Sequence, residues 1–417
     1  MFVGLDVGTS GVRACAIADS GVIVAESAVP FDPNAASDDA AQWLIVARDC
    51  LAKLFSELPD ARNVRAIAVD GTSGSMVLLG VDRAPVTPGL LYNTSGFHDE
   101  AARIAAVAPP GSITRGSSSA LARLLHLQDQ APDAAFLAHQ ADYIVAALTG
   151  EAGHSDESNA LKTGYDARAR RWPAWLAEAG VRVDLLPKVH PVGARIGHTS
   201  LGTTRWFDID YAVPVVAGAT DSVAAFLASG VDEPGVAVTS LGTTLALKVL
   251  SDAPVEDAAR GIYSHRIGDR WLPGGASNVG GGSLLAHFTA QELDAITERI
   301  DPDWEPRHPD TYPLTRAGER FPRNDPAMAP VLPPREDDAR FLFELLHAIA
   351  RIEREGYEAL ASLGAPYPTR VLTAGGGARN RTWTAIRERV LGVPVDVLEN
   401  ADAAYGMALT ARRAVLA

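Results

Sequence analysis

The chain has 417 residues, 47% hydrophobic and 21% charged, which is enough apolar material for roughly two or three cores and too much for a disordered polymer. Its 37 basic side chains are outnumbered by 51 acidic ones, a formal charge of −14, so neither nucleic acid nor an anionic lipid surface is an expected partner. No apolar run approaches the roughly 18 to 20 residues that a membrane helix needs, and no basic stretch precedes the strand-like opening Phe2-Val3-Gly4-Leu5, so neither spanning nor secretion is expected.

Only Cys15 and Cys50 are present, too few for a disulfide framework, which suits a reducing cytoplasm. The histidines show no metal-ligand spacing. The chain opens with an apolar strand, a Gly-rich turn and a second strand, FVGLDVGTSG then VRACAIAD. A turn at Asp19-Ser20-Gly21 leads into VIVAESAV, and the three read as a β-meander. Helical spacing follows over 41–58, then a buried-type strand, 64–69, ending in Asp70-Gly71-Thr72-Ser73. Helical spacing is predicted again across 117–150, with Gly150 as a C-cap.

Pattern and composition restart near residue 212, which predicts domains of 1–212 and 213–417. A strand at 211–219 ends at Thr220-Asp221 ahead of a small-residue helix. Then comes a second strand-turn-strand, 236–240, Gly242-Thr243-Thr244 and 245–250, which superimposes on the first around Gly8-Thr9-Ser10. A duplicated domain is the simplest explanation. Residues 301–335, dense in proline, are expected to form a long surface excursion. Beyond it come an amphipathic helix at 337–362, a strand at 370–373 and the loop Gly375-Gly376-Gly377-Ala378-Arg379-Asn380.

A strand turning on Gly-Thr-Ser converges backbone N–H groups and hydroxyls on a small volume, which suits phosphate oxygens, although one such turn alone reads equally as an ordinary hairpin. Two matching turns say more, and they differ: Asp6 lies two residues before Gly8, whereas Ser240 holds that place before Gly242. A carboxylate on one side only fits a polyphosphate with its metal on the acidic side, which points to ATP and Mg2+. Asp221, at the carboxyl end of a strand, is placed to take a proton from a substrate hydroxyl; an N-cap carboxylate is the alternative. The glycine run ending at Asn380 suits a ribose or flat ring, or else a tight strand-to-helix turn.

These segments resemble the FGGY carbohydrate kinases of the actin-like ATPase superfold. The resemblance runs through LDVGTSGVRA, AVDGTSGSMVLL, SDESNALKTGYD, AGATDSVAAFLASG, SLGTTLAL and TAGGGARNRTW, in that order, over nearly the whole chain. It implies an α/β fold of two ribonuclease-H-like domains with a central cleft, the N-terminal domain mainly binding sugar and the C-terminal one mainly ATP. It further implies that Asp221 is the general base and Asp6 the magnesium and phosphate-side carboxylate. Gly8, Thr9 and Ser10 would form one phosphate turn and Gly242, Thr243 and Thr244 the other. Gly376 and Asn380 would contact adenosine, and Ser73 with Asp6 and Asp221 would border the sugar.

The chain departs from the family at Leu90-Leu91-Tyr92-Asn93-Thr94-Ser95, where many members carry a Trp/Asp/Arg sugar motif, and it lacks the Arg–Glu pair with which glycerol kinases hold glycerol. Its short length, SDESNALKTGYD and SSALARLLHL are most similar to a compact D-ribulose or xylulose kinase-like branch. D-Ribulose is therefore the expected acceptor and D-xylulose the alternative. An actin-like ATPase used as a binding module, with no small-molecule acceptor, is the reading from another class.

Overall fold

The computed structural model describes residues 1–34, 38–207, 209 and 211–416. The chain divides into two units. Unit 1 comprises Met1–Gly230, His265–Gly268 and Asp402–Ala417, and unit 2 comprises Val231–Ser264 and Asp269–Ala401.

Unit 1 is built on the expected meander: β1 (Phe2–Val7), β2 (Gly11–Ile17) and β3 (Ile23–Pro30) pair antiparallel in sequence. Every residue of β1 is buried, the mark of a strand covered on both faces. β4 (Ala66–Gly71) lies parallel to β1. A hairpin-like pair, β5 (Met76–Leu79) and β6 (Phe136–His139), stands apart from the main sheet, as do β7 (His154–Asp156) and β8 (Lys188–His190). β9 (Arg195–His198) and β10 (Pro214–Val216) complete the main sheet, whose order is β3-β2-β1-β4-β10-β9.

One face of this sheet is covered by the helix Ala40–Glu57. Asp39 caps it by accepting from Ala41 N–H at 3.0 Å, and Trp43, Ala47, Leu51 and Leu54 recur at helical spacing on its buried side. They join Val3, Leu5, Ile67 and Val69 in one core. The other face receives the helix Ala403–Leu416, which packs on β1, β4 and the helix Asp221–Leu227. That packing is backbone-close: a Cβ on Gly4 would collide with Ala404 and Ala408, and one on Gly406 would collide with Ala224.

Two expectations change in unit 1. Of the stretch 117–150, only Ala120–Gln130 and Gln140–Thr149 are helical; Phe136 and Leu137 fall in β6, because Leu78 and Leu79 supply an antiparallel partner that helical spacing cannot reveal. Gly150 does end the second helix, in a left-handed conformation with φ 77°. The expected division at 212 falls inside unit 1, since β10 pairs with β4 and its following helix packs against Ala403–Leu416.

Unit 2 repeats the plan. β11 (Val236–Leu241) and β12 (Leu245–Val249) form a hairpin, β14 (Arg270–Ser277) extends it beyond β12, and β15 (Arg370–Ala374) and β16 (Val395–Val397) continue parallel to β11; β13 (Tyr263–Ile267), counted with unit 1 from His265 on, is the edge strand of the sheet. The order is β13-β14-β12-β11-β15-β16. The run β14-β12-β11-β15-β16 matches β3-β2-β1-β4-β10, so the duplication inferred from two turns extends to five strands. The helix Asp338–Ser362 crosses this sheet, burying Phe341, Leu345, Ile349, Ile352 and Leu360.

Residues 301–335 contain no helix or strand among the described residues, as their prolines require, but they are not merely a surface excursion. Tyr312, Leu314 and Phe321 are buried in the unit 2 core, and Glu319 accepts from Ser277 Oγ (2.6 Å), Tyr312 Oη (2.8 Å) and Asn278 N–H (2.8 Å). The segment is strapped to the end of β14.

The glycine seam under Ala403–Leu416 yields a first test. Gly406→Ala is expected to lower the stability of the chain by about 1–3 kcal/mol, the usual cost of overpacking, read as a reduced urea midpoint with unchanged slope.

Candidate active site

The unit 1 site follows from strand register. Asp6 on β1 pairs with Asp70 on β4, Val7 pairs with Gly71, and Gly71 bridges to Thr220, the residue before Asp221. Three carboxylates are thus delivered to the carboxyl ends of adjacent parallel strands, where ligands of α/β sheets bind. Thr220, not Asp221, is the N-cap of the helix Asp221–Leu227; Asp221 is its first residue and its Oδ1 accepts from Ser222 N–H at 2.6 Å.

A cavity of about 340 Å³ opens here, lined by Asp6, Gly8, Thr9, Ser10 and Asp221 among the expected residues, and by Arg13, Pro30, Thr72 and Ala403 among others. Thr9 and Ser10 are exposed at the hairpin tip, which Gly8 N–H closes on Gly11 O at 3.0 Å. Ser73 is half-buried beside Thr72, outside that lining. Thr72 is fixed by Gln140, whose Oε1 accepts from its N–H (2.9 Å) and hydroxyl (2.7 Å).

Burial dominates the electrostatics. It pushes Asp6 up to about 6, reinforced by the charges of Asp402 and Asp221 and opposed by a hydrogen bond from Asp70 and by Arg13. Asp70 is completely buried and rises well above the usual carboxylate range, through burial first and then the charges of Asp6 and Asp221. Neither Asp70 oxygen accepts a hydrogen bond from the chain, so nothing offsets the cost of burying its charge. Arg13 Nη1 lies 3.8 Å from Asp6 and 3.9 Å from Asp402, which precedes the helix Ala403–Leu416. Asp70, Arg13 and Asp402 are missing from the expected site. Asp70 was visible as a strand-end carboxylate, but Asp402 carried no sequence signal, since only the return of the chain brings it to β2.

The unit 2 site pairs two loops at one level of the sheet, because Ser240 is registered with Ala374. The positions that hold Asp6 and Asp70 in unit 1 are therefore Ser240 and Ala374 here, and the acidic asymmetry extends to a second pair. The turn at Gly242 and Thr243 is exposed and rests on the Gly280–Gly282 run: Gly281 N–H donates to Gly242 O (2.8 Å) and Gly282 N–H to Thr243 O (3.0 Å). A Cβ on Gly280 would approach Thr244 Cα to 2.7 Å, so these glycines admit the turn's backbone. Gly376 is exposed in a short 3-10 turn. Asn380 caps the helix Arg381–Leu391 through Oδ1 and Trp383 N–H (2.9 Å), and its Nδ2 donates to Thr297 Oγ1 (3.1 Å).

Beneath both loops, buried Arg387 donates two bonds of 2.7 Å to Glu353 and one of 2.7 Å to Thr373 on β15. Thr239 on β11 donates to Glu353 at 2.5 Å. The network joins the two strands that carry the loops.

A hairpin tip rich in N–H and hydroxyl donors stands beside buried strand-end carboxylates in unit 1, and the duplicated sheet of unit 2 carries a second, neutral tip; each tip suits phosphate oxygens. The N-terminal domain model of the FGGY family of carbohydrate kinases matches residues 1–228, and the C-terminal domain model matches residues 237–415. The chain belongs to that family and is a carbohydrate kinase that uses ATP with Mg2+. It is 25% identical to the xylulose kinase of Escherichia coli K12, covering 99% of this chain and 89% of that one. It is 28% identical to the xylulose kinase of Streptomyces coelicolor, covering 96% and 84%. The crystal structure of xylulose kinase from Rhodospirillum rubrum superimposes with a TM-score of 0.85 at 25% identity, covering 98% and 89%.

The residues present fit Mg2+. Among the described residues no three His, Cys, Asp or Glu side chains gather closely enough to hold a metal ion by themselves. Mg2+ suits such a place, since it is usually held by one or two carboxylates together with substrate phosphates. Asp6, with the donor-free oxygens of Asp70 beside it, supplies that hard-oxygen face. No helix among the described residues is long and apolar enough to cross a membrane.

The carboxylate pair sets a pH dependence. Asp6 ionises near 6 when folded against an ordinary 3.8, so its contribution to stability is whole below 3.8 and is lost as pH rises through 6; Asp70, also raised by burial, has the same sign. Asp70→Asn is therefore expected to melt increasingly above the parent protein as pH is raised from about 4 to about 8 without metal, measured by thermal denaturation.

Proposed function

We propose that the acceptor is a ketopentose and that Asp221 takes the proton from its attacking hydroxyl. The observation that carries this is the convergence of Asp6, Asp70 and Asp221 at three strand ends with graded exposure. Asp70 is sealed and Asp6 nearly so, while Asp221 is half-buried on the cavity wall, where it can reach a substrate. A general base must first have that reach.

In this reading unit 1 mainly holds the sugar, bordered by Asp6, Ser73 and Asp221, and unit 2 mainly holds ATP. Asp6 is the metal-side carboxylate. The Gly8-Thr9-Ser10 tip and the Gly242-Thr243-Thr244 tip offer backbone N–H groups and hydroxyls to phosphate oxygens, and Gly376 with Asn380 faces adenosine. ATP supplies the phosphoryl group, with Mg2+ neutralising charge that develops on it. The chain contributes positioning, a proton acceptor and the exclusion of water.

D-Ribulose is supported by the likeness of SDESNALKTGYD and SSALARLLHL to the compact branch. D-Xylulose is the second reading, favoured by the xylulose kinases among the relatives. A cytoplasmic setting is supported by Cys15 and Cys50, both buried and unpaired, with burial pushing Cys15 up to about 12.

ADP release measured with a panel of ketopentoses decides the acceptor: the substrate gives the highest kcat/KM, and release no faster than with ATP alone for every member would reject a ketopentose acceptor. Asp221→Ala is expected to cut sugar-dependent turnover by about 10²–10⁴-fold while ATP binding, followed by calorimetry, stays near the parent value. Near-parental turnover would remove Asp221 from the proton-transfer role.

A further inference from the structure

The segment 90–95 is held by a side chain from elsewhere in unit 1. Arg123, in the helix Ala120–Gln130, is 2% exposed. Its Nε donates to Gly74 O at 3.2 Å. Its Nη1 donates to the carbonyls of Tyr92 (3.1 Å), Thr94 (3.0 Å) and Ser118 (2.8 Å). All four partners are neutral, and burial pulls the guanidinium down to about 10. A buried cation without a carboxylate is expensive, and a residue needed only for packing would be an apolar one of similar volume. What the guanidinium provides instead is a rigid planar fork that fixes several carbonyls at once.

Those carbonyls are not scattered. Gly74 closes the Thr72-Ser73 turn at φ +85°, and a Cβ there would stand 2.9 Å from Arg123 Nη2, so the glycine both makes the turn and admits the guanidinium. Tyr92 and Thr94 belong to the segment 90–95. A second tie joins the same two stretches: Tyr92 N–H donates to Ser75 Oγ (2.9 Å), which bonds Thr72 Oγ1 (2.5 Å). Thr72 lines the cavity that holds Asp6 and Asp221.

We propose that Arg123 is a positioning residue for the acceptor sugar, locking the turn at 72–75 to the segment at 92–94 so that acceptor-side backbone stands at a fixed distance from Asp221. The inference rests on the reading of unit 1 as the sugar-holding unit.

The test is steady-state kinetics of the full chain carrying Arg123→Lys or Arg123→Met, with thermal melting alongside. Lysine keeps the charge and stem but not the fork. For both variants the KM of the preferred ketopentose should rise about tenfold and the D-ribulose to D-xylulose preference should shrink, while the KM for ATP stays within about twofold. A merely structural role would lower the melting temperature and move neither KM selectively. A folded lysine variant with unmoved sugar KM, or with sugar and ATP constants shifting together, overturns the proposal. Should neither variant fold, Ser75→Ala interrupts the parallel tie; a selective rise in sugar KM supports the proposal and an unchanged one overturns it. An unmodified enzyme that turns over no ketopentose overturns the ketopentose reading, and this inference with it. Normal turnover with an unmoved lysine variant overturns this inference alone.

Discussion

Asp6 and Asp70 are forced together by strand register, and burial makes both of them harder to ionise. Two carboxylates at one level of adjacent parallel strands cannot both ionise in a dry environment without a large penalty, and both are held above the usual carboxylate range. The rest of unit 1 can be understood as the containment of this pair. Arg13 offsets its field from the rim while Asp402 adds to it, the Gly8-Ser10 tip surrounds it with donors, and Thr220 sets Asp221 one strand further along. A pair so destabilised as a double anion is also primed for a divalent cation, whose charge reverses the logic that raised the pKa values.

The duplicated sheets make the comparison internal to one chain. Five strands recur in the same order, and the strand-turn-strand tips recur with them, but Asp6 and Asp70 become Ser240 and Ala374. The same backbone frame thus presents donors with carboxylates in one unit and donors alone in the other. In unit 2 the ionic groups lie deeper, where Arg387 and Glu353 join β11 to β15 below their loops instead of standing among them. That burial keeps a charge pair from competing with a polyanion while still fixing both loop bases. A buried pair of this kind adds little net stability, and fixing one arrangement of neighbouring strands is its plausible physical use.

How much of this was legible in the sequence depended on whether the signal was local. The two tips, the missing carboxylate in the second, Asp221 at a strand end and the Gly150 cap all rest on a few consecutive residues. The pairing of Asp70 with Asp6 required register, which no single strand specifies by itself. β6 was hidden because Phe136 and Leu137 continue a helical spacing until a partner strand claims them. Proline density marked 301–335 correctly as irregular but wrongly as superficial, since Tyr312, Leu314 and Phe321 anchor it in the core. Arg123 gave no signal at all: it sits in an ordinary amphipathic pattern, and its partners are carbonyls, which every residue has.

The helix Ala403–Leu416 supplies the second cover of β1, although β1 stands at the opposite end of the sequence. During translation β1 must therefore wait for about 400 further residues before that face is sealed, some 20–80 s at ribosomal speeds of about 5–20 residues per second. Unit 1 thus closes its sheet only after the residues of unit 2 have been made.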